Sequence, residues 1–138
     1  MRDSGKVLTE LRKQAQNPNY KFNRIYRILC NPDIYVKAYS NIYGNNGSST
    51  SGTDNETADG FSEKKIYQLI ESIKDESYQP KPARRTYIPK KNGKVRPLGI
   101  PSFIDRLLQE VCRMILESIY EPMFSDNSHG FRPNRSCH

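Results

Sequence analysis

The 138 residues form one domain by length, with room for a modest hydrophobic core. Twenty-two Lys and Arg against 15 Asp and Glu give a net charge of +7, which favours polyanionic partners without establishing nucleic-acid binding. The chain has no run of about 18 apolar residues, which excludes a transmembrane helix, and its N-terminus lacks the apolar core of a secretory signal.

The three cysteines do not predict a disulfide framework or a zinc site. Cys30, Cys112 and Cys137 are odd in number, far apart and without a Cys-x-x-Cys pair. Reduced thiols suit the cytosol, so a cytoplasmic protein is expected. His129 and His138 complete no tetrahedral spacing with Cys137, and no metal ligand is assigned.

The first third of the chain predicts helices. A weak helix over residues 4–16 ends at Pro18. Helical spacing then predicts a second helix from Phe22, Ile25, Tyr26 and Leu29. Asn31 can cap the next helix, with Pro32 in its first turn, and Gly44 ends it.

Residues 44–60, with the sequence GNNGSSTSGTDNETADG, predict a long loop. They offer almost nothing to bury and many side chains that compete for backbone hydrogen bonds. Such a loop is uncommon inside a compact domain unless it is functional or disordered. The residues alone leave a functional loop and an inert linker open.

The second half predicts a helix, a hairpin and a longer helix. Ser62 is expected to cap a helix with the apolar stripe Ile66, Leu69, Ile70 and Ile73. Apolar residues then flank the turn signal Lys91-Asn92-Gly93, which predicts a hairpin over residues 84–100. Ser102 with Asp105 forms a capping-box variant at the start of the most amphipathic helix, over residues 102–121.

The predicted hairpin carries a dense positive charge. Seven cations lie between residues 81 and 96 with no acidic residue among them: Lys81, Arg84, Arg85, Lys90, Lys91, Lys94 and Arg96. Lys supplies a point charge and Arg a planar fork, so the segment predicts a phosphate-binding surface. The alternative is a solvated edge hairpin that Lys and Pro protect from aggregation.

Two registers are open for this hairpin. A two-residue Asn92-Gly93 turn would put Lys90 and Arg96 on opposite faces. A three-residue loop with Gly93 in the left-handed region pairs Lys90 with Lys94. Period-two alternation then gives one face the residues Arg84, Ile88, Lys90, Lys94 and Arg96. We favour this register because it converges separated cations on one site for a triphosphate or a nucleic-acid backbone.

Three sequence blocks carry a family resemblance. They are YIPKKNGKVRPLGIP at residues 87–101, Asp105-Arg106 with Gln109-Glu110, and HGFRP at residues 129–133. In order and spacing they resemble the first blocks of bacterial group II intron reverse transcriptases, also called maturases. The resemblance extends over most of residues 20–138.

The resemblance implies an α+β fold, with several helices packed around a small antiparallel hairpin as the fingers of a right-hand polymerase. Residues 1–62 would be N-terminal extension helices with a template-clasping loop at 44–60. Residues 63–121 would be the fingers core, with the hairpin at 84–100 and the long helix at 102–121. Residues 122–138 would be a truncated start of the palm.

The resemblance also implies site residues. Lys90 and Arg96 match the fingers cations that grip the incoming nucleotide's triphosphate. RNA or template binding is expected for Arg84, Arg85, Lys91, Lys94, Gly47, Ser48, Ser49, Thr50, Ser51 and Gly52. The family's metal-binding Asp residues have no counterpart, so no catalytic or metal-binding residue and no cofactor is expected here, and Mg²⁺ belongs to the parent protein.

The parent is therefore expected to copy RNA into DNA and to assist intron splicing, while this chain binds RNA without synthesis. The alternatives are an RNA-binding splicing cofactor and a self-associating basic module without polymerase activity. A missing palm should leave the apolar stripe from Ile104 to Tyr120 partly uncovered, which keeps a homo-oligomer open.

Overall fold

The structure is a computed structural model that describes residues 3–44, 52 and 63–135. In chain order its elements are α1 (Ser4–Ala15), α2 (Ile25–Leu29), α3 (Pro32–Tyr43), α4 (Glu63–Lys74), β1 (Arg84–Pro89), β2 (Val95–Ile100), α5 (Phe103–Tyr120) and a 3-10 turn (Glu121–Met123). The two strands form one antiparallel sheet. The predicted α+β class is confirmed.

Helix α5 is the centre of the core. Leu107 and Val111 on its inner face are fully buried, and the helix packs against both α1 and α3. The stripe predicted for α4 is buried in the same cluster: Ile66, Leu69, Ile70 and Ile73. Helical periodicity in the sequence therefore identified the faces that meet in the core.

Two of the predicted helix caps are confirmed. The side chain of Asn31 accepts a hydrogen bond from the Asp33 backbone N–H at 3.2 Å, and Ser102 Oγ accepts from Asp105 N–H at 3.3 Å. The Asp33 carboxylate in turn accepts from Ser4 N–H at 2.6 Å, which ties the start of α1 to the start of α3. This bond lowers the pKa of Asp33. Ser62 lies outside the described residues.

A second apolar strip of α5 is open. The core-facing residues of the predicted stripe are covered by the other helices, while Leu116 remains 52% and Tyr120 49% exposed beside them. With Leu108, Cys112 and the residues after the helix, these side chains line a hollow of about 740 Å³. The uncovered apolar surface is therefore a neighbouring strip, rotated from the core face.

Arg132 fastens the segment that follows α5. Its side chain is 6% exposed and binds Glu121 Oε1 at 2.8 Å. It also donates to the carbonyl oxygens of Ser125 at 2.7 Å and Ser128 at 2.6 Å. Hydrogen bonding from Arg132 lowers the pKa of Glu121. These contacts give Arg132 a structural role, since they tie residues 125–128 to the end of α5.

Gly52 gives the first testable prediction. It is buried, and a Cβ at this position would lie 2.8 Å from Ser102 N and 2.9 Å from the Pro101 carbonyl atoms. Gly52→Ala should lower the free energy of unfolding by about 1–2 kcal/mol, because backbone atoms cannot move aside as a flexible side chain can. Thermal or denaturant unfolding measures this change.

Gly44→Ala is the matched control. Gly44 has a φ of −78°, and its added Cβ would meet nothing within 4 Å. This variant should be neutral or slightly stabilising, since Ala restricts the unfolded chain. Equal stability of the two variants would contradict the packing of Gly52 against Pro101 and Ser102.

Candidate nucleic-acid interface

The hairpin adopts the three-residue loop. Lys90 N–H donates to Lys94 O at 2.7 Å, and Gly93 N–H donates to Lys90 O at 3.2 Å. Gly93 has a φ of +80°, in the left-handed region that glycine enters without steric cost. Ile88 pairs with Arg96 and Pro89 with Val95. The favoured register is confirmed, and Lys90 and Arg96 share one face.

Apart from Arg84 at the start of β1, the shared face is cationic only near the tip. Lys90 and Lys94 are directly opposed, and Arg96 is the diagonal neighbour of Lys90. Towards the base the same face carries Thr86, Ile88, Leu98 and Ile100, of which all but Leu98 are half-buried. The predicted face included Ile88 among its cations; the structure adds that Thr86, Ile88 and Ile100 on this face are half-buried, which alternation alone could not show.

Arg84 and Arg85 stand apart from the cations at the tip. Arg84 shares their face but begins β1, six residues before Lys90, which is about 20 Å along an extended strand. Arg85 pairs with Gly99 and lies on the opposite face, beside Tyr87. The expectation that Arg84 joins Lys90 and Arg96 in one site is therefore corrected. The cluster at the tip, hereafter the tip cluster, is Lys90, Lys94 and Arg96.

The tip cluster has no carboxylate partner in the part of the chain that the structure describes. Its three side chains and that of Lys91 are exposed, and none of the ion pairs among residues 3–44, 52 and 63–135 involves them. By contrast, Arg113 on α5 lies between Glu110, at 2.6 Å, and Glu117. Directly opposed like charges destabilise a hairpin, so an anion bound at the tip would relieve repulsion.

The two prolines of the strands protect the open edges of the hairpin. Because Lys90 N–H points at β2, the backbone nitrogens of Pro89 and Pro97 both point away from the partner strand. Each edge therefore lacks one donor that a further strand would need. This edge protection, expected under the alternative interpretation, coexists with the tip cluster.

The loop residues of the expected RNA site fall into two groups. Gly47, Ser48, Ser49, Thr50 and Ser51 lie outside the described residues. Gly52 is described and rests on the Pro101–Ser102 backbone, where β2 leads into α5. Thus the one described residue of this loop site lies at the base of the hairpin and not at its tip.

No three His, Cys, Asp or Glu side chains of the described ranges lie together as ligands for a metal ion. Two of the less exposed carboxylates are held in other bonds: Asp105 accepts from Tyr78 and from the Lys81 backbone, and Glu121 binds Arg132. Within the same ranges, every helix is too short or too polar to cross a bilayer.

Comparison with known proteins places these residues in a family context. Residues 88–138 match the family described as "Reverse transcriptase (RNA-dependent DNA polymerase)". The chain is 56% identical over its whole length to group II intron-encoded protein LtrA of Lactococcus lactis subsp. cremoris. It is 44% identical over 95% of its length to an uncharacterised 91 kDa protein in the cob intron of Schizosaccharomyces pombe.

A third relative matches a shorter stretch. Nuclear intron maturase 1, mitochondrial, of Arabidopsis thaliana is 51% identical over 49 residues, which are 33% of the chain and 7% of that protein. The chain spans 23% of the Lactococcus protein and 17% of the Schizosaccharomyces protein. Similarity to intron-encoded proteins therefore covers the helices as well as the hairpin.

Proposed function

Because the chain belongs to the group II intron reverse transcriptase and maturase family, we propose that it is the RNA-binding fingers segment of an RNA-directed DNA polymerase that also assists intron splicing. The observation that carries this proposal is the tip cluster, three exposed cations on one face with no carboxylate beside them among the described residues. Such a surface suits phosphate oxygens.

Within the parent protein, Lys90 and Arg96 would hold the triphosphate of the incoming nucleotide. Lys90 offers a mobile point charge, while Arg96 offers a planar fork that can bind two phosphate oxygens at once. Their diagonal placement across the strands supports joint binding of one polyphosphate. Lys94, opposite Lys90, would extend the same surface.

The RNA template would run along the rest of the hairpin. Lys91 at the loop and the two arginines at the base, Arg84 and Arg85, are spaced along its length and would each offer a charge to a phosphate of the template. The loop at 44–60 would add backbone and small polar contacts. In this proposal residues 1–62 are the N-terminal extension, 63–121 the fingers core and 122–138 the start of the palm.

The parent would use Mg²⁺ for nucleotidyl transfer, but the described residues of this chain do not fit a Mg²⁺ site. Such sites need carboxylates that are free to converge on the metal. Asp105, Glu110 and Glu121 are spaced along α5 and the turn that follows it, each held in hydrogen bonds or ion pairs, and no three possible ligands of the described residues lie together. We therefore propose that this chain supplies phosphate and template contacts, and that the metal is held elsewhere in the parent.

Self-association is the second candidate, and the open strip of α5 favours it. Leu116 and Tyr120 are half exposed beside a hollow lined mainly by apolar side chains. Self-association through this strip is compatible with RNA binding, because the strip lies on α5 and the tip cluster lies on the hairpin.

The RNA-binding proposal predicts a loss when the tip cluster is removed. In a fluorescence titration with structured group II intron RNA, the Lys90→Ala, Lys94→Ala, Arg96→Ala triple variant should bind about tenfold or more weakly, with a salt slope smaller by about three. The salt slope falls because binding with fewer phosphate contacts releases fewer counterions from the RNA. Sedimentation of the free chain at the same concentrations separates self-association from binding.

A charge-matched variant controls for net charge. The triple variant Lys37→Ala, Lys64→Ala, Lys74→Ala also removes three positive charges, but from exposed positions on α3 and α4. This variant should keep most of the affinity. If both triple variants bind RNA equally well, the binding site lies away from the hairpin.

Catalysis gives a separate prediction. The 138-residue chain, incubated with a primed RNA template, nucleotides and Mg²⁺, should extend no primer, because among its described residues no group of three His, Cys, Asp or Glu side chains lies together to hold the metal. A complete reverse transcriptase in the same mixture serves as the positive control. Template-dependent extension by this chain alone would overturn the division of labour proposed here.

A further inference from the structure

Asp105 joins the two ends of the hairpin. This residue lies in the first turn of α5 and is only 4% exposed. Its carboxylate accepts hydrogen bonds from the Tyr78 hydroxyl and from Lys81 N–H at 2.9 Å. Tyr78 and Lys81 lie on the segment that leads into β1, while Asp105 follows directly after β2. One buried carboxylate therefore ties the chain entering the hairpin to the helix that follows it.

The Tyr78 hydroxyl is well suited to this bond. Burial raises the pKa of Tyr78, and the hydrogen bond to Asp105 raises it further, so the phenol stays protonated and donates. A carboxylate can accept both bonds at once. An amide at position 105 would offer one acceptor and one donor group and no charge, so it could not keep both charge-assisted bonds that the carboxylate accepts.

The hairpin has few other supports. Every residue of β2 except Ile100 is exposed, and only Thr86 and Ile88 of β1 are half-buried. A two-stranded hairpin is marginally stable by itself, so its direction depends on what holds its base. Gly52 packs at the same place, against Pro101 and Ser102.

The length of the strands amplifies any movement at the base. A rotation of about 10° there would move Lys90 by about 3.5 Å, because Lys90 lies about 20 Å along the strand from Arg84. Charge-assisted hydrogen bonds to phosphate need donor–acceptor distances of about 2.7–2.9 Å. A displacement of this size would remove the tip cluster from a correctly placed ligand.

We propose that Asp105 is a positioning residue, which through Tyr78 and Lys81 fixes the direction of the hairpin and so places Lys90, Lys94 and Arg96 against the RNA or nucleotide phosphates. This inference rests on the proposed function of the hairpin. Asp105 itself is buried at the base and touches neither ligand.

The test compares two variants that each lose one phenol hydroxyl. Tyr78→Phe keeps the ring and removes the bond to Asp105. Tyr26→Phe is the matched control, because the Tyr26 hydroxyl donates to the Ile73 carbonyl oxygen at the end of α4 and not to Asp105. Thermal unfolding should show both variants folded at the working temperature. If Tyr78→Phe does not fold, Asp105→Asn, which keeps the shape of the side chain, takes its place.

The first readout is a distance that does not involve RNA. Spin labels at Asn92→Cys on the loop and Gln68→Cys on α4 report the hairpin direction, in a chain with Cys30, Cys112 and Cys137 changed to Ala. Tyr78→Phe should shift the mean distance by about 3 Å and broaden its distribution, as the lever estimate implies. Tyr26→Phe should leave it unchanged. An unchanged distance in Tyr78→Phe overturns the proposal.

The second readout is RNA affinity. Tyr78→Phe should weaken RNA binding about fivefold, which is the size of effect expected from the loss of one hydrogen bond. In a chain that carries Tyr78→Phe, the tip-cluster substitutions should reduce RNA affinity by a smaller factor than they do with Tyr78 intact. Unchanged affinity despite a shifted distance overturns the link between Asp105 and binding. If the tip-cluster substitutions also leave RNA affinity unchanged in the chain with Tyr78 intact, the proposed function fails. A shifted distance in Tyr78→Phe would then still support Asp105 as the residue that orients the hairpin.

Discussion

The left-handed backbone of Gly93 is the constraint on which the candidate site depends. Its φ of +80° closes the three-residue loop, and that loop sets the pairing of Lys90 with Lys94. Because side chains alternate along a strand, a slip of one residue would move Arg96 to the other face. The register thus decides whether the cations of the hairpin form one cluster or two dispersed groups.

Charge is distributed unevenly over the fold. On α5, Arg113 lies between two glutamates, and after α5 Arg132 is buried against Glu121, so these cations stabilise the scaffold. The tip cluster is solvated and has no such partner among the described side chains. Its like charges cost stability in the free protein, and a polyanion would remove that cost. This difference separates cations that hold the fold from cations available to a ligand.

Much of this arrangement could be predicted from local sequence. Asn31 and Ser102 are caps, and Gly93 closes a turn, because each acts on backbone groups within three residues of itself. The buried faces of α4 and α5 follow from apolar residues at helical spacing.

The remaining features depend on contacts distant in sequence. Tyr78 reaches Asp105 across 27 residues, and Gly52 reaches Pro101 across a longer interval. The sequence predicted Asp105 only as the partner of Ser102 in a capping box, and that prediction does not include the bonds from Tyr78 and Lys81. Alternation also could not reveal that Thr86, Ile88 and Ile100 on the face of the tip cluster are half-buried, because alternation assigns residues to a face and does not say how far each is covered.

The central claim is that the tip of the hairpin contacts RNA. Amide chemical-shift mapping of the ¹⁵N-labelled chain during titration with structured intron RNA tests it most directly. We expect the largest changes at residues 90–96, diminishing with added salt as phosphate contacts are screened. Changes confined to α1, α2 and α3, with the amides of residues 90–96 unperturbed, would contradict RNA binding at the tip of the hairpin.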